Sequence, residues 1–148
     1  MKKGMAALPT ILLIGGIILE ITIALSLVVY FLSQSGYAAK RSTEALLSAQ
    51  SGIDNTVSLI IRNKDLGSGN YSAIFNLDSS HSASIVACKN FLISTSTMAC
   101  DLTKSNTGQT EIISTGSAYS INRRLQAFIN VDALTGEVKI VSTQEISM

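Results

Sequence analysis

Three groups of residues in this chain could do chemistry. Glu20 is a carboxyl group inside the apolar run that begins Leu8-Pro9-Thr10-Ile11 and ends Phe31-Leu32. In the middle of a membrane-crossing helix a carboxylate costs about 2.5–3.5 kcal/mol, so an ionisable residue there is a functional candidate by default. Two readings are open. The group is protonated or satisfied by Thr22 or a neighbouring backbone, or it meets a polar or cationic group on another helix when subunits assemble. Cys88 and Cys100 form the second group. In an oxidising compartment a disulfide closing this short loop would add roughly 3 kcal/mol. Strand residues facing one another across a hairpin would suit it, and a pair of buried free thiols is the alternative. The third group is the serine-rich loop Asp78-Ser79-Ser80-His81-Ser82, which holds the single histidine. Serines are so frequent here that Ser/His/Asp neighbours arise by chance, and His81 is expected to be a solvated loop residue.

Several classes of function find no support. Two cysteines without a nearby histidine pair do not complete a four-ligand zinc site, and there is no phosphate-binding glycine loop. The net charge is +1, and the basic pairs Lys2-Lys3, Lys40-Arg41 and Arg123-Arg124 are scattered rather than gathered into a stripe. No nucleic-acid partner, no cofactor and no enzymatic activity is therefore expected.

The elements that carry these residues follow from the apolar pattern. Residues 8–32 are apolar or small for about 25 positions, and about 20 suffice to cross the hydrocarbon core. A cleaved secretory signal would have a shorter apolar region and a better small-residue cleavage site than Ser35-Gly36-Tyr37-Ala38-Ala39 offers. An anchor is the better reading. Beyond it, Ala38, Ala45, Leu46, Ala49, Ile53, Val57, Ile60 and Ile61 recur at three- and four-residue steps. They form one apolar stripe, with Lys40, Glu44, Gln50, Asp54, Asn55 and Arg62 on the other faces. This predicts one long helix from about Pro9 to about Lys64, softened at Gly36 and Gly52. After Gly67-Ser68-Gly69 the period becomes alternating. Strands are expected around Tyr71–Phe75, Ser84–Cys88, Phe91–Ile93 and Glu111–Ser114. A terminal hairpin should place Leu125, Ala127, Ile129 and Val131 beside Val138 and Ile140, turning at Asp132–Gly136.

So short a run of strands makes a thin core by itself. Laying one sheet face on the stripe between Ala45 and Ile61 buries both. The expected fold is α+β: a long N-terminal helix with a small antiparallel sheet packed on it. Four segments follow: a short basic leader or tail at 1–7, a transmembrane helix at 8–32, an amphipathic continuation at 33–66, and a strand-rich extracytoplasmic domain at 67–148.

This arrangement resembles the type IV pilin and pseudopilin superfamily, and within it the minor pilins of the PilX-like type. The likeness rests on Lys2-Lys3-Gly4-Met5-Ala6-Ala7-Leu8, similar to a short basic leader ending in glycine, and on the ending from Ser114-Thr115-Gly116 through Arg123-Arg124-Leu125 to Gly136-Glu137-Val138-Lys139-Ile140. The resemblance implies a structural subunit of a type IV pilus or type II secretion-like filament. It would be anchored single-pass in the cytoplasmic membrane, and its partners would be lipid, other pilin-like subunits and a prepilin peptidase. In that family the peptidase cuts after glycine, and a glutamate at the fifth residue beyond the cut aligns subunits. A cut between Gly4 and Met5 suits the leader but puts Pro9 at the glutamate's position. A cut between Gly15 and Gly16 puts Glu20 there and would remove an unusually apolar leader. The Gly4 site is preferred. The alternative function is a stand-alone membrane-anchored adhesin or binding module that never enters a filament.

Overall fold

The computed structural model describes residues 7–63, 66, 70–132 and 135–147, with side chains from Pro9 onward. Helix α1 runs Ala7–Arg62, with Pro9 in its first turn, where a missing N–H costs no intrahelical bond. Five strands follow: β1 Asn70–Asn76, β2 His81–Ser94, β3 Ala99–Ala118, β4 Ile121–Val131 and β5 Val138–Ile146. The chain divides into two units, one up to Ala39 and one from Lys40.

The first unit is helical throughout its described residues, and every described side chain in it is exposed. It is long and apolar enough to be a candidate single membrane span.

The second unit contains the rest of α1 and an antiparallel sheet in the order β1-β2-β3-β4-β5. Each strand pairs with its sequence neighbour, so tight turns make most of the connections. Strand alternation sends Ile85, Ala87, Ile112, Leu125, Ala127 and Ile129 to one face, where they form a core with Ala49, Ile53 and Ile60 of the helix. The expected α+β packing of helix on sheet is what the structure has. Ile61 of the expected stripe points outward instead, and Ser48, Gly52 and Thr56 join the buried face. Ser48 and Thr56 are tolerated there because each hydroxyl donates back to its own helix, to the carbonyls of Glu44 and Gly52 at 2.9 Å.

Small residues set how close helix and sheet come. A Cβ on Gly116 would lie 2.1 Å from the Ala45 carbonyl oxygen and 2.3 Å from the Ala49 nitrogen. Only glycine lets the backbones meet at this point. Gly52 is used in the same way from the helix side, since a Cβ there would meet Ser114 Oγ at 2.5 Å and Ala83 Cβ at 3.0 Å. Its role is close packing against the sheet, beyond the softening of the helix that its propensity implies.

The terminal hairpin pairs Val131 with Val138 and Ile129 with Ile140. Val138 packs on the core, but Ile140 is 46% exposed because β5 is the sheet's edge. Of the turn, Ala133 and Leu134 lie outside the described residues; Gly136 adopts φ 72° and donates its N–H to the Asp132 carbonyl at 2.9 Å.

Candidate functional site

Glu20 is in the exposed, apolar part of α1. Thr22 does not satisfy it with its hydroxyl proton, which goes to the Ile18 carbonyl at 2.7 Å; Ser26 likewise donates to the Thr22 carbonyl at 2.9 Å. These hydroxyls hide their polarity inside the helix, whereas a carboxylate cannot, because it has only acceptors. Gly15 and Gly16 have nothing within 4 Å of the position a Cβ would take, so that surface is open to close approach by another helix. Gly4 and Met5 lie outside the described residues.

Cys88 and Cys100 are disulfide-bonded, with Cα atoms 5.6 Å apart. The pairing register explains what this bond requires. Cys88 stands opposite Glu111, while Cys100 stands opposite Ile93, farther along β2. In a straight strand Cys88 and Ile93 would be roughly 16 Å apart. The far end of the β2–β3 hairpin must therefore fold back over the sheet face that α1 does not cover. The bend is visible at Asn90, with φ 66°, and at Gly108, with φ 84°, and the Gly108 N–H donates to Asn90 Oδ1 at 3.0 Å. Between them the return arm carries extra residues: Lys89 pairs with Thr110, but Phe91 already pairs with Ser105 and Leu92 with Asp101. The folded-back segment, residues 91–107, forms a lid. Val86, Cys88, Ile93 and Ile113 form a small second core beneath and within it, joined by Phe91, Met98 and Cys100.

Under the lid sits Glu111, only 1% exposed. Its Oε2 accepts the Ile93 N–H from the lid, and its Oε1 accepts from the Gln126 side-chain amide. Gln126 in turn accepts from Gln144 Nε2 at 2.7 Å, so a row of polar groups crosses from β3 to β5. Burying a carboxylate is costly unless it is well bonded, and both oxygens here are engaged. Sequence reading missed this role. The available signal was a lone acid beginning the apolar run Glu111-Ile112-Ile113.

His81 is the first residue of β2, with its side chain only 20% exposed, and is not a solvated loop residue. Its Nδ1–H donates to Asp78 Oδ2 at 2.8 Å, and its Nε2 faces Glu44 Oε2 at 3.5 Å. Asp78 Oδ1 also accepts the backbone N–H groups of Ser80, at 2.6 Å, and His81, at 2.8 Å, forming a turn that fixes the imidazole. The hydrogen bond to Asp78 raises the pKa of His81 above its ordinary 6.5, with Glu44 adding to the effect against some desolvation. Asp78 is lowered from 3.8, first by the Ser80 N–H and then by His81. Tyr119 meets the imidazole edge-on at 5.6 Å and carries the Arg41 guanidinium 5.1 Å from its ring centre. Both ring nitrogens of His81 face carboxylates, Asp78 in the β1–β2 turn and Glu44 on α1, so the imidazole clamps the start of β2 to the helix, with the Tyr119 ring after β3 packed against it. Alternation in sequence gave no hint of it, because the partners come from three separate elements.

Arg123 bridges in a similar way on β4, donating from Nη2 to Ser42 Oγ at 2.6 Å and from Nη1 to Glu145 Oε1 at 2.7 Å. Half exposed, it still joins the helix, β4 and the edge strand β5.

In the comparisons with known proteins, no family model, no curated protein and no solved structure matches this chain.

Proposed function

We propose that this chain is a minor pilin-like or pseudopilin-like structural subunit of a type IV pilus or type II secretion-like filament. Residues 8–32 anchor it in the cytoplasmic membrane, and the sheet domain lies on the extracytoplasmic side. The observation that carries this reading is the continuity of α1 across two uses. Its beginning is apolar and exposed on all sides, and its end supplies one wall of a small sheet's core. A plain tether needs only the first property. A helix that also builds the domain core makes one element of the chain serve both the anchor and the fold.

The apolar portion needs a second environment if the protein ever leaves lipid, and a bundle of identical or related helices supplies one. Glu20 is the group that such a bundle would single out, because an acceptor-only side chain in that surface gains most from a donor on a neighbouring helix. The disulfide supports an oxidising compartment for the domain. The partners on this reading are membrane lipid, other pilin-like subunits and a prepilin peptidase.

The test is the N-terminal sequence of the mature protein isolated from its native membrane. A terminus at Met5 or Gly16 is the expected result and chooses between the two cleavage sites. An intact Met1, with no recovery in sheared filaments, would replace this reading with the permanently anchored adhesin or binding module.

A further inference from the structure

We propose that residues 91–107 are a redox-released lid. Reduction of Cys88–Cys100 lets the far end of the β2–β3 hairpin swing about Asn90 and Gly108 and uncover Val86, Ile113 and Glu111, while the core between α1 and the sheet stays folded.

The geometry has the parts such a device needs. Asn90 and Gly108 lie on opposite arms of the hairpin, both in the left-handed backbone region, and are joined by one hydrogen bond. Single residues at φ above zero are where a chain changes direction at low cost, glycine and asparagine above others. Beyond this hinge the attachments of the lid include the disulfide, the Ile93 N–H to Glu111, and the packing of Phe91, Ile93 and Met98 on Val86 and Ile113. The disulfide is the only covalent one, and it ties Cys100 on the lid's return arm to Cys88 of β2, on the near side of the hinge. The two buried clusters share no residue, so opening the lid removes no member of the core that holds α1.

What opens is a specific surface. A groove lined by Ser72, Ala73, Ile74, Ser84, Val86 and Met98 already lies along the lid's edge. Lifting Met98 away would widen it into an apolar floor of Val86 and Ile113 with a single carboxylate, Glu111, beside it. The chemistry balances with a dithiol reductant, small or borne by a thiol oxidoreductase. It supplies two electrons and two protons, the Cys88–Cys100 bond breaks into two thiols, and the reductant becomes a disulfide.

The experiment is hydrogen exchange on the full chain in detergent micelles, read by mass spectrometry with and without a dithiol reductant. Reduction should speed exchange in residues 91–101 by roughly tenfold or more, with the α1 segment 45–60 and residues 112–114 keeping their protection. Cleavage by trypsin after Lys104 should rise in parallel, and Cys100→Ser should reproduce both effects without reductant. Two results would overturn the proposal: a lid as protected after reduction as before, or a lid and core that lose protection together. The reduced wild-type protein answers the question even if the variant fails to fold.

Discussion

Each face of the sheet carries a buried cluster, yet the two are closed by opposite means. Against α1, closure comes from the absence of side chains: Gly116, Gly52, Ala45, Ala49 and Ala83 let backbone approach backbone, and isoleucines fill what remains. Beneath the lid, closure comes from a few side chains, Phe91, Ile93 and Met98, together with specific bonds, a disulfide and a hydrogen bond to Glu111. The first kind of closure cannot be loosened by degrees, because there is no flexible atom at the contact to give way. The second can be released by chemistry at a single bond. A small domain that needs one permanent and one conditional interface would divide its residues this way.

That contrast can be broken most severely at Gly116. Gly116→Ala puts a methyl group into helix backbone, and a loss of about 3 kcal/mol or more is expected, enough to lower the thermal midpoint by well over 10 °C in a domain of this size. A thermal melt followed by circular dichroism checks it, and a midpoint within a few degrees of wild type would show that α1 can be displaced from β3 at little cost. Cys100→Ser comes next. Chain entropy alone gives roughly 3 kcal/mol for a loop this short, and the measured loss in denaturant should be smaller, because a released lid also gains freedom in the native state. Gly52→Ala follows at about 1 kcal/mol net. Alanine favours the helix by roughly that amount over glycine, but the new Cβ meets Ser114, Ala83 and Ile85, and the collision should win.

The smallest effect belongs to His81 and is read as a slope. Its pKa is raised in the folded state, so its contribution is fully present below its ordinary 6.5 and is lost as pH rises through the folded value. Melting midpoints of the wild type should therefore fall between about pH 5 and pH 8, and His81→Gln should flatten that fall. Asp78 acts in the opposite sense only at much lower pH, where its depressed pKa is reached. An unchanged slope in the variant would mean that the clamp between Glu44 and Asp78 carries no proton-linked stability.

The helix and the α+β packing were legible because burial writes itself into period. Apolar steps of three and four marked α1, and alternation at Tyr71–Phe75 and Leu125–Val131 marked β1 and β4. Legibility fails where strands stop obeying one face. Ser84–Cys88 and Phe91–Ile93 read as separate pieces because the bend at Asn90 reverses which side is covered, though both belong to β2. Most of β3 was invisible, since Asp101–Thr107 is mostly polar and exposed or half-exposed on a folded-back arm. The cysteine pairing could not be chosen from spacing, because the contact depends on that same fold-back. Gly52 looked like a defect in a helix until the sheet was placed against it.

The contact at Gly116 also has a mechanical meaning. Turning α1 about its long axis would replace the Ala45 and Ala49 backbone at that point with side chains that have no room there. The joint therefore resists torque, as a keyed shaft does, and the azimuth of the helical segment around Ala45 and Ala49 is fixed relative to β3. Which side of that segment faces the sheet is thus held by a hard stop at Gly116 as well as by buried apolar area, and its remaining faces keep a fixed bearing whatever they meet.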